Sequence, residues 1–154
     1  MKNKMNVNKY KYRIIEHTSD IGIEFYGGSL TELFESAAAA MFSIICNLKL
    51  IEPVEKKNIA VSGKNTGYED LLVSWLERLI YLCEVDSMLF SDFKVVKIKK
   101  ENSDITLKAE ISGEKIDPGR HKLRADIKAA TYHKLMVKKN LKDNNWKGRV
   151  IFDV

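Results

Sequence analysis

Ile105-Thr106-Leu107-Lys108-Ala109-Glu110-Ile111-Ser112 alternates apolar and polar residues at every step. Successive side chains of a strand point to opposite faces, so this octapeptide reads as a strand with one face in a core and the other in water. A sheet wetted on one face is usually antiparallel. Just upstream, Val96 and Ile98 also follow period two, and the polar Glu101-Asn102-Ser103 marks the hairpin between the two runs. Downstream, Asp117-Pro118-Gly119 is a turn, residues 125–129 and 131–138 read as strands, and a polar loop at 140–145 leads to a last strand ending in Val150-Ile151-Phe152. Toward the start, residues 10–15 and 21–26 read as two strands around the polar turn His17-Thr18-Ser19-Asp20, and Ile59 with Val61 suggests another short strand.

Two segments follow a different period. Ser29 with Glu32 forms a capping box, and Leu30, Leu33, Phe34, Ala37, Met41, Ile44 and Ile45 then recur at helical spacing to about Asn47. Thr66 with Glu69 is read as a second box, opening a helix whose apolar stripe includes Leu72, Trp75, Leu76 and Leu79. Trp75 belongs to the core on this reading. Helices early and hairpins late give the α+β class, with two amphipathic helices packed on a mainly antiparallel β-sheet.

The 154 residues suit one domain, and 45% hydrophobic content with only two prolines excludes a disordered chain. Repeats and low-complexity segments are absent from the sequence. No apolar run approaches the roughly 18 residues of a membrane span, and the basic start is not followed by a signal-like apolar region. Cys46 and Cys83 fall inside apolar helical patterns and read as reduced thiols, so a cytoplasmic location is expected. The net charge of +5 is unevenly placed: residues 1–13 carry five basic residues and no acid, so the rest of the chain is balanced. Residues 1–9 read as a basic flexible tail before a single domain at 10–154. Between Arg120 and Arg149 there are ten basic residues against Asp126 and Asp143. That stretch faces either an anionic partner or simply water on the wet side of strands.

No phosphate-binding loop, serine elbow or zinc-ligand spacing is present. The three histidines, His17, His121 and His133, sit near the two ends of the chain. The sequence closes on Asp153 and Val154, so a side-chain carboxylate and the final main-chain carboxylate adjoin. If the fold brings Asp20 there, three carboxylates converge and need a cation or protons to neutralise them. Such an oxygen-rich set suits Ca2+ or Mg2+; the bland alternative is a solvated terminus. Lys128, between Ile127 and Ala129, either snorkels or pairs with Asp20 or Asp153. His133 and His17 are alternatively a half-buried strand histidine and a turn cap.

At these residues the chain resembles the archease family. The resemblance rests on His-Thr-Ser-Asp-Ile-Gly-Ile at 17–23, Gly-Ser-Leu-Thr-Glu-Leu-Phe-Glu-Ser-Ala-Ala at 28–38, and Leu-Leu-Val-Ser-Trp-Leu-Glu-Arg-Leu-Ile-Tyr-Leu at 71–82. Gly113-Glu114, Arg120-His121, the block from Ile127 to His133 and the ending Val150-Ile151-Phe152-Asp153-Val154 extend it. It implies a small α+β accessory protein, not an enzyme. Its partner would be the RtcB-type RNA ligase, whose guanylylation and multiple turnover it promotes in tRNA splicing and RNA repair. It also implies a divalent cation on Asp20, Asp153 and Val154. His17, Arg120, His121, Lys128, Thr131 and His133 are candidates for supporting or partner-contact roles, and the 120–149 stretch for contact with tRNA. Ser74, and Leu123 to Asp126, depart from the family pattern. Two rival readings are a metal-dependent phosphoesterase or nuclease, with His17 or His133 as base, and a non-catalytic RNA-binding or chaperone-like module.

Overall fold

The computed structural model describes residues 9–16 and 18–154. His17 and the first eight residues of the expected tail therefore lie outside the described residues. The elements run β1 (Lys11–Glu16), β2 (Asp20–Gly27), α1 (Leu30–Ile45), a 3-10 turn at Leu48–Leu50, β3 (Glu55–Lys64) and α2 (Glu69–Val85). Then come β4 (Met88–Glu101), β5 (Asp104–Lys115), a one-turn helix α3 (Pro118–His121), β6 (Ala129–Ala130), β7 (Met136–Lys139) and β8 (Trp146–Asp153).

The strands form two sheets, and all of their pairings are antiparallel. One sheet runs β3-β5-β4, with the alternating octapeptide as the centre of β5. The other runs β1-β2-β8, and the far edge of β8 is shared by β6 near its end and β7 near its start. The α+β class expected from the sequence holds, but the single expected sheet is divided in two. α1 lies between them, packing on β1 and β2 of one sheet and β4 of the other. Its Ala37-Ala38-Ala39-Ala40 run is fully buried, so the helix is enclosed on nearly all sides rather than on one face. Small side chains permit that close approach. α2 covers β3 and touches α1, where the buried Trp75 Nε1–H donates to Phe34 O at 2.9 Å.

The first cap forms nearly as read: Ser29 Oγ accepts from Glu32 N–H, while the Glu32 carboxylate reaches back to Gly28 N–H instead of the cap residue. The second does not form. Tyr68 occupies the cap position with no side-chain bond, because Gly67 at φ +134° turns the chain after Thr66. Glu69 instead becomes the first helical residue, and its carboxylate accepts from Val137 N–H. The expected strands at 125–129 and 131–138 shorten to β6 and β7. A turn at His133-Lys134 interrupts them, with Lys134 at φ +54° and its carbonyl taken by Arg149 Nε–H at 2.9 Å. Among the described residues no helix is long and apolar enough to cross a membrane.

Candidate functional site

Alternation in β2 and β8 decides where the acidic residues go. Ile21, Ile23 and Phe25 sit opposite Phe152, Val150 and Gly148 and face the core. A Cβ on Gly148 would stand 2.2 Å from the Phe25 ring, so glycine there makes room for the aromatic. The intervening residues must point to the other face. On that face Asp20, the first residue of β2, lies directly opposite Asp153, the last residue of β8. Cross-strand neighbours have Cβ atoms about 5 Å apart, and like charges so placed repel.

Asp153 is exposed and Asp20 half-buried. Asp20 Oδ1 is buried without a hydrogen-bond partner. Buried polar atoms left unpartnered are uncommon because they lose water and gain nothing. A carboxylate oxygen in that state, beside a second carboxylate, is what a hard oxygen-seeking cation would satisfy. Among the described residues no three His, Cys, Asp or Glu side chains converge. The side-chain donors here are therefore the two aspartates, and main-chain oxygens or water would complete a coordination shell.

The backbone around Asp153 is held from several sides. Lys128 N–H donates to Asp153 O at 2.8 Å. Ile151 O accepts from Thr131 N–H at 3.0 Å and from Thr131 Oγ1–H at 2.8 Å. Thr131 Oγ1 in turn accepts from His133 N–H at 3.3 Å. Glu77 Oε2 accepts from Ala130 N–H at 2.7 Å and fastens β6, the neighbour of Asp153, to α2. Lys128, Thr131 and His133 thus do gather beside the aspartates, through their backbones and the threonine hydroxyl. The Lys128 side chain is exposed and forms no ion pair with Asp20 or Asp153 among the described residues. Glu77 escaped the sequence reading; its only signal is a carboxylate bordering the apolar stripe of α2.

Arg120 and His121 belong to a different cluster. Glu114 accepts from Arg120 Nη2 at 2.6 Å, from His121 Nε2 at 2.8 Å and from Glu52 N–H at 2.8 Å. His121 Nδ1 accepts from Asp117 N–H, which leaves the ring proton on Nε2. His121 is fully buried, so of the two roles expected for it, supporting or partner contact, its place in the fold suits the supporting one: it locks α3 onto the three-stranded sheet. Arg120 is partly exposed but bound to Glu114 and to Leu50 O. The basic stretch 120–149 is likewise not one strip. Arg124 caps the end of α1 through Ser43 O and Ile45 O, whereas Lys138, Lys147 and Arg149 lie on β7 and β8.

Residues 12–154 match the model of the Archease protein family. The chain is 40% identical over 139 residues to Protein archease of Pyrococcus abyssi, covering 90% of this chain and 95% of that protein. It is 38% identical over 144 residues to Protein archease of Methanosarcina mazei, covering 94% and 96%. The solution structure of protein 1598 of Methanobacterium thermoautotrophicum superposes with a TM-score of 0.77 at 30% identity, covering 93% of this chain and 98% of that one.

Proposed function

This chain belongs to the archease family, and from that premise we propose that it is an accessory protein that activates an RtcB-type RNA ligase, working in the cytoplasm. On this reading it promotes guanylylation of the ligase, and so multiple turnover in tRNA splicing and RNA repair, without catalysing a reaction itself. A related archease from Thermotoga maritima is described as a possible chaperone, which fits the same accessory class.

The observation that carries the proposal is the buried, unpartnered Asp20 Oδ1 directly opposite Asp153 at one end of the five-stranded sheet. Asp20, Asp153 and the main chain at Val154 would hold a divalent cation, Ca2+ or Mg2+, which supplies positive charge for phosphate oxygens when bound. The protein's own part is placement. Alternation in β2 and β8 points both carboxylates to one face, and Lys128, Thr131 and Glu77 fix the backbone beside them. Asp153 and His133 are exposed, so the ligase can approach the pair from solvent. Docking that favours the guanylylation-competent ligase conformer raises turnover by the difference in affinity for the two conformers.

The test holds an RtcB-type ligase substoichiometric to broken RNA, with GTP and divalent metal. Adding this protein takes the ligase from about one turnover to many, and Asp20→Ala and Asp153→Ala each return it to one. Full activation by both variants sinks the metal-site reading; no activation by the unaltered protein sinks the accessory role.

A further inference from the structure

The outer face of the five-stranded sheet changes character along its length. Its register sets the residues in rows across the strands, with neighbours about 4.8 Å apart and rows about 7 Å apart. The Asp20–Asp153 row stands at one end. About 20 Å away, six residues along β2, the last row reads Lys11, Tyr26, Lys147 and Lys138 across β1, β2, β8 and β7. The three lysines are exposed, and none forms an ion pair among the described residues. The adjacent row is Arg13, Glu24 and Arg149. Both arginines are bound to Glu24, which is 7% exposed. Glu24 thereby supports the sheet; it also feels the charge of Lys147, which leaves Lys11 and Lys138 as the lysines of the row without a carboxylate partner among the described residues.

A cavity of about 410 Å3 opens beside this row, between the start of α1 and the 140–145 loop. Its walls include Lys11, Lys147, the rings of Tyr26 and Trp146, and Asn140 and Asn145. Two carboxylates also stand on its rim and keep their charge, each accepting one backbone N–H: Glu32 from Gly28 and Asp143 from Asn145. The volume falls in the roughly 300–1,000 Å3 range of small-ligand sites. Aromatic rings, amides and ammonium groups at one mouth, with Lys147 Nζ 5.9 Å from the centre of the Tyr26 ring, match the three parts of a nucleotide: ring, base edge and phosphate.

We propose that this basic end of the sheet binds single-stranded RNA, with one nucleotide in the cavity against Tyr26 and flanking phosphates on Lys11, Lys147 and Lys138. RNA suits the face better than an acidic protein surface. The Arg13 guanidinium is spent on Glu24 and Arg149 is held by Lys134 O, with Glu24 3.9 Å away, whereas lysines act as flexible point charges for a phosphate chain. The solvent face of the other sheet also carries lysines, Lys94, Lys97 and Lys108, but the aromatic rings of β4, Phe90 and Phe93, are buried.

The experiment follows anisotropy of a fluorescein-labelled 12-nucleotide oligouridylate with the full chain at several salt concentrations. The unaltered protein binds with a strong salt dependence. The triple variant Lys11→Gln, Lys138→Gln, Lys147→Gln lowers the log–log salt slope by about 2, as loss of three phosphate contacts on a single strand requires. Because Lys147 lies near Glu24 and Tyr26, the double variant Lys11→Gln, Lys138→Gln guards against misfolding and lowers the slope by about 1.4. The triple Lys94→Gln, Lys97→Gln, Lys108→Gln has the same net charge and leaves the slope unchanged. Tyr26→Leu weakens binding about fivefold or more, and Tyr26→Phe does not. Equal losses in both triples, absence of salt-sensitive binding, or competition by GTP as strong as by the oligonucleotide would each overturn the proposal. So would unchanged RNA binding in the first triple with ligase activation lost, which would give the face to an acidic surface of the ligase. None of these outcomes depends on the Asp20 and Asp153 variants, so the two readings fail separately.

Discussion

Asp20 and Glu114 are both carboxylates at the margin of a sheet, and the protein treats them in opposite ways. Glu114 accepts from a guanidinium, an imidazole and a backbone N–H. The Arg120 hydrogen bond, helped by the other donors and opposed by desolvation, holds its pKa down to about 2. Asp20 keeps one buried oxygen with no donor and looks across the sheet at a second aspartate. A saturated carboxylate has nothing left to offer a ligand and serves the frame. An unsaturated one is tolerated when something from outside completes it.

Ligase turnover separates the two most widely. Asp20→Ala removes activation by tenfold or more, whereas Glu114→Ala, assayed at a temperature where it stays folded, retains most of it. If the two variants lose activation equally, the division between ligand site and frame is wrong. Thermal unfolding with added Ca2+ or Mg2+ sharpens the same contrast. At a cation concentration one hundred times its dissociation constant, the unaltered protein gains about 2.7 kcal/mol. Glu114→Gln shows the same gain and Asp20→Ala none.

Stability without metal should reverse the ranking. Glu114→Gln leaves the buried His121, Arg120 and Glu52 N–H with a weaker acceptor, a loss of about 1–3 kcal/mol in urea unfolding. Its pH dependence follows from the depressed pKa. Stability contributed by ionised Glu114 is fully present above its ordinary value of 4.5 and is lost as pH falls toward about 2. The gap between unaltered protein and Glu114→Gln should therefore be widest above pH 5 and close near pH 2. A gap independent of pH would mean that the charge on Glu114 is not what locks α3.

The sequence showed one half of this contrast more clearly than the other. Asp20 and Asp153 were legible only as ends, a polar turn before one strand and the close of the last strand, and their meeting was conditional on the fold and implied by the family resemblance. Which strand pairs with which is not written in alternation, so the division into two sheets stayed hidden. The enclosure of α1 was hidden too, because four consecutive alanines carry little directional signal however deeply they are buried. The turn at Lys134 lacks the glycine or asparagine that usually announces positive φ. It is held instead by Arg149, fifteen residues away. Glu77 and Glu114 act through partners that only the tertiary structure supplies: Ala130 lies 53 residues from Glu77, and Glu52 lies 62 from Glu114. Whether His121 supports the fold or meets a partner was therefore open in the sequence, and its burial against Glu114 is what makes it a lock.

The smallest expected effect bears most directly on the contrast. Asp20→Asn keeps the shape of the side chain, removes its charge, and supplies an amide that can donate to Asp153. Like charges directly opposite in a sheet destabilise it, so without divalent cation this variant should gain about 0.2–1 kcal/mol. With saturating Ca2+ the order should invert, because only the unaltered protein has the second carboxylate to bind the ion. A variant less stable than the unaltered protein in the absence of cation would mean that Asp20 is already satisfied within the fold. Asp20 would then be one more member of the frame, like Glu114, and the cation would lose its reason to bind there.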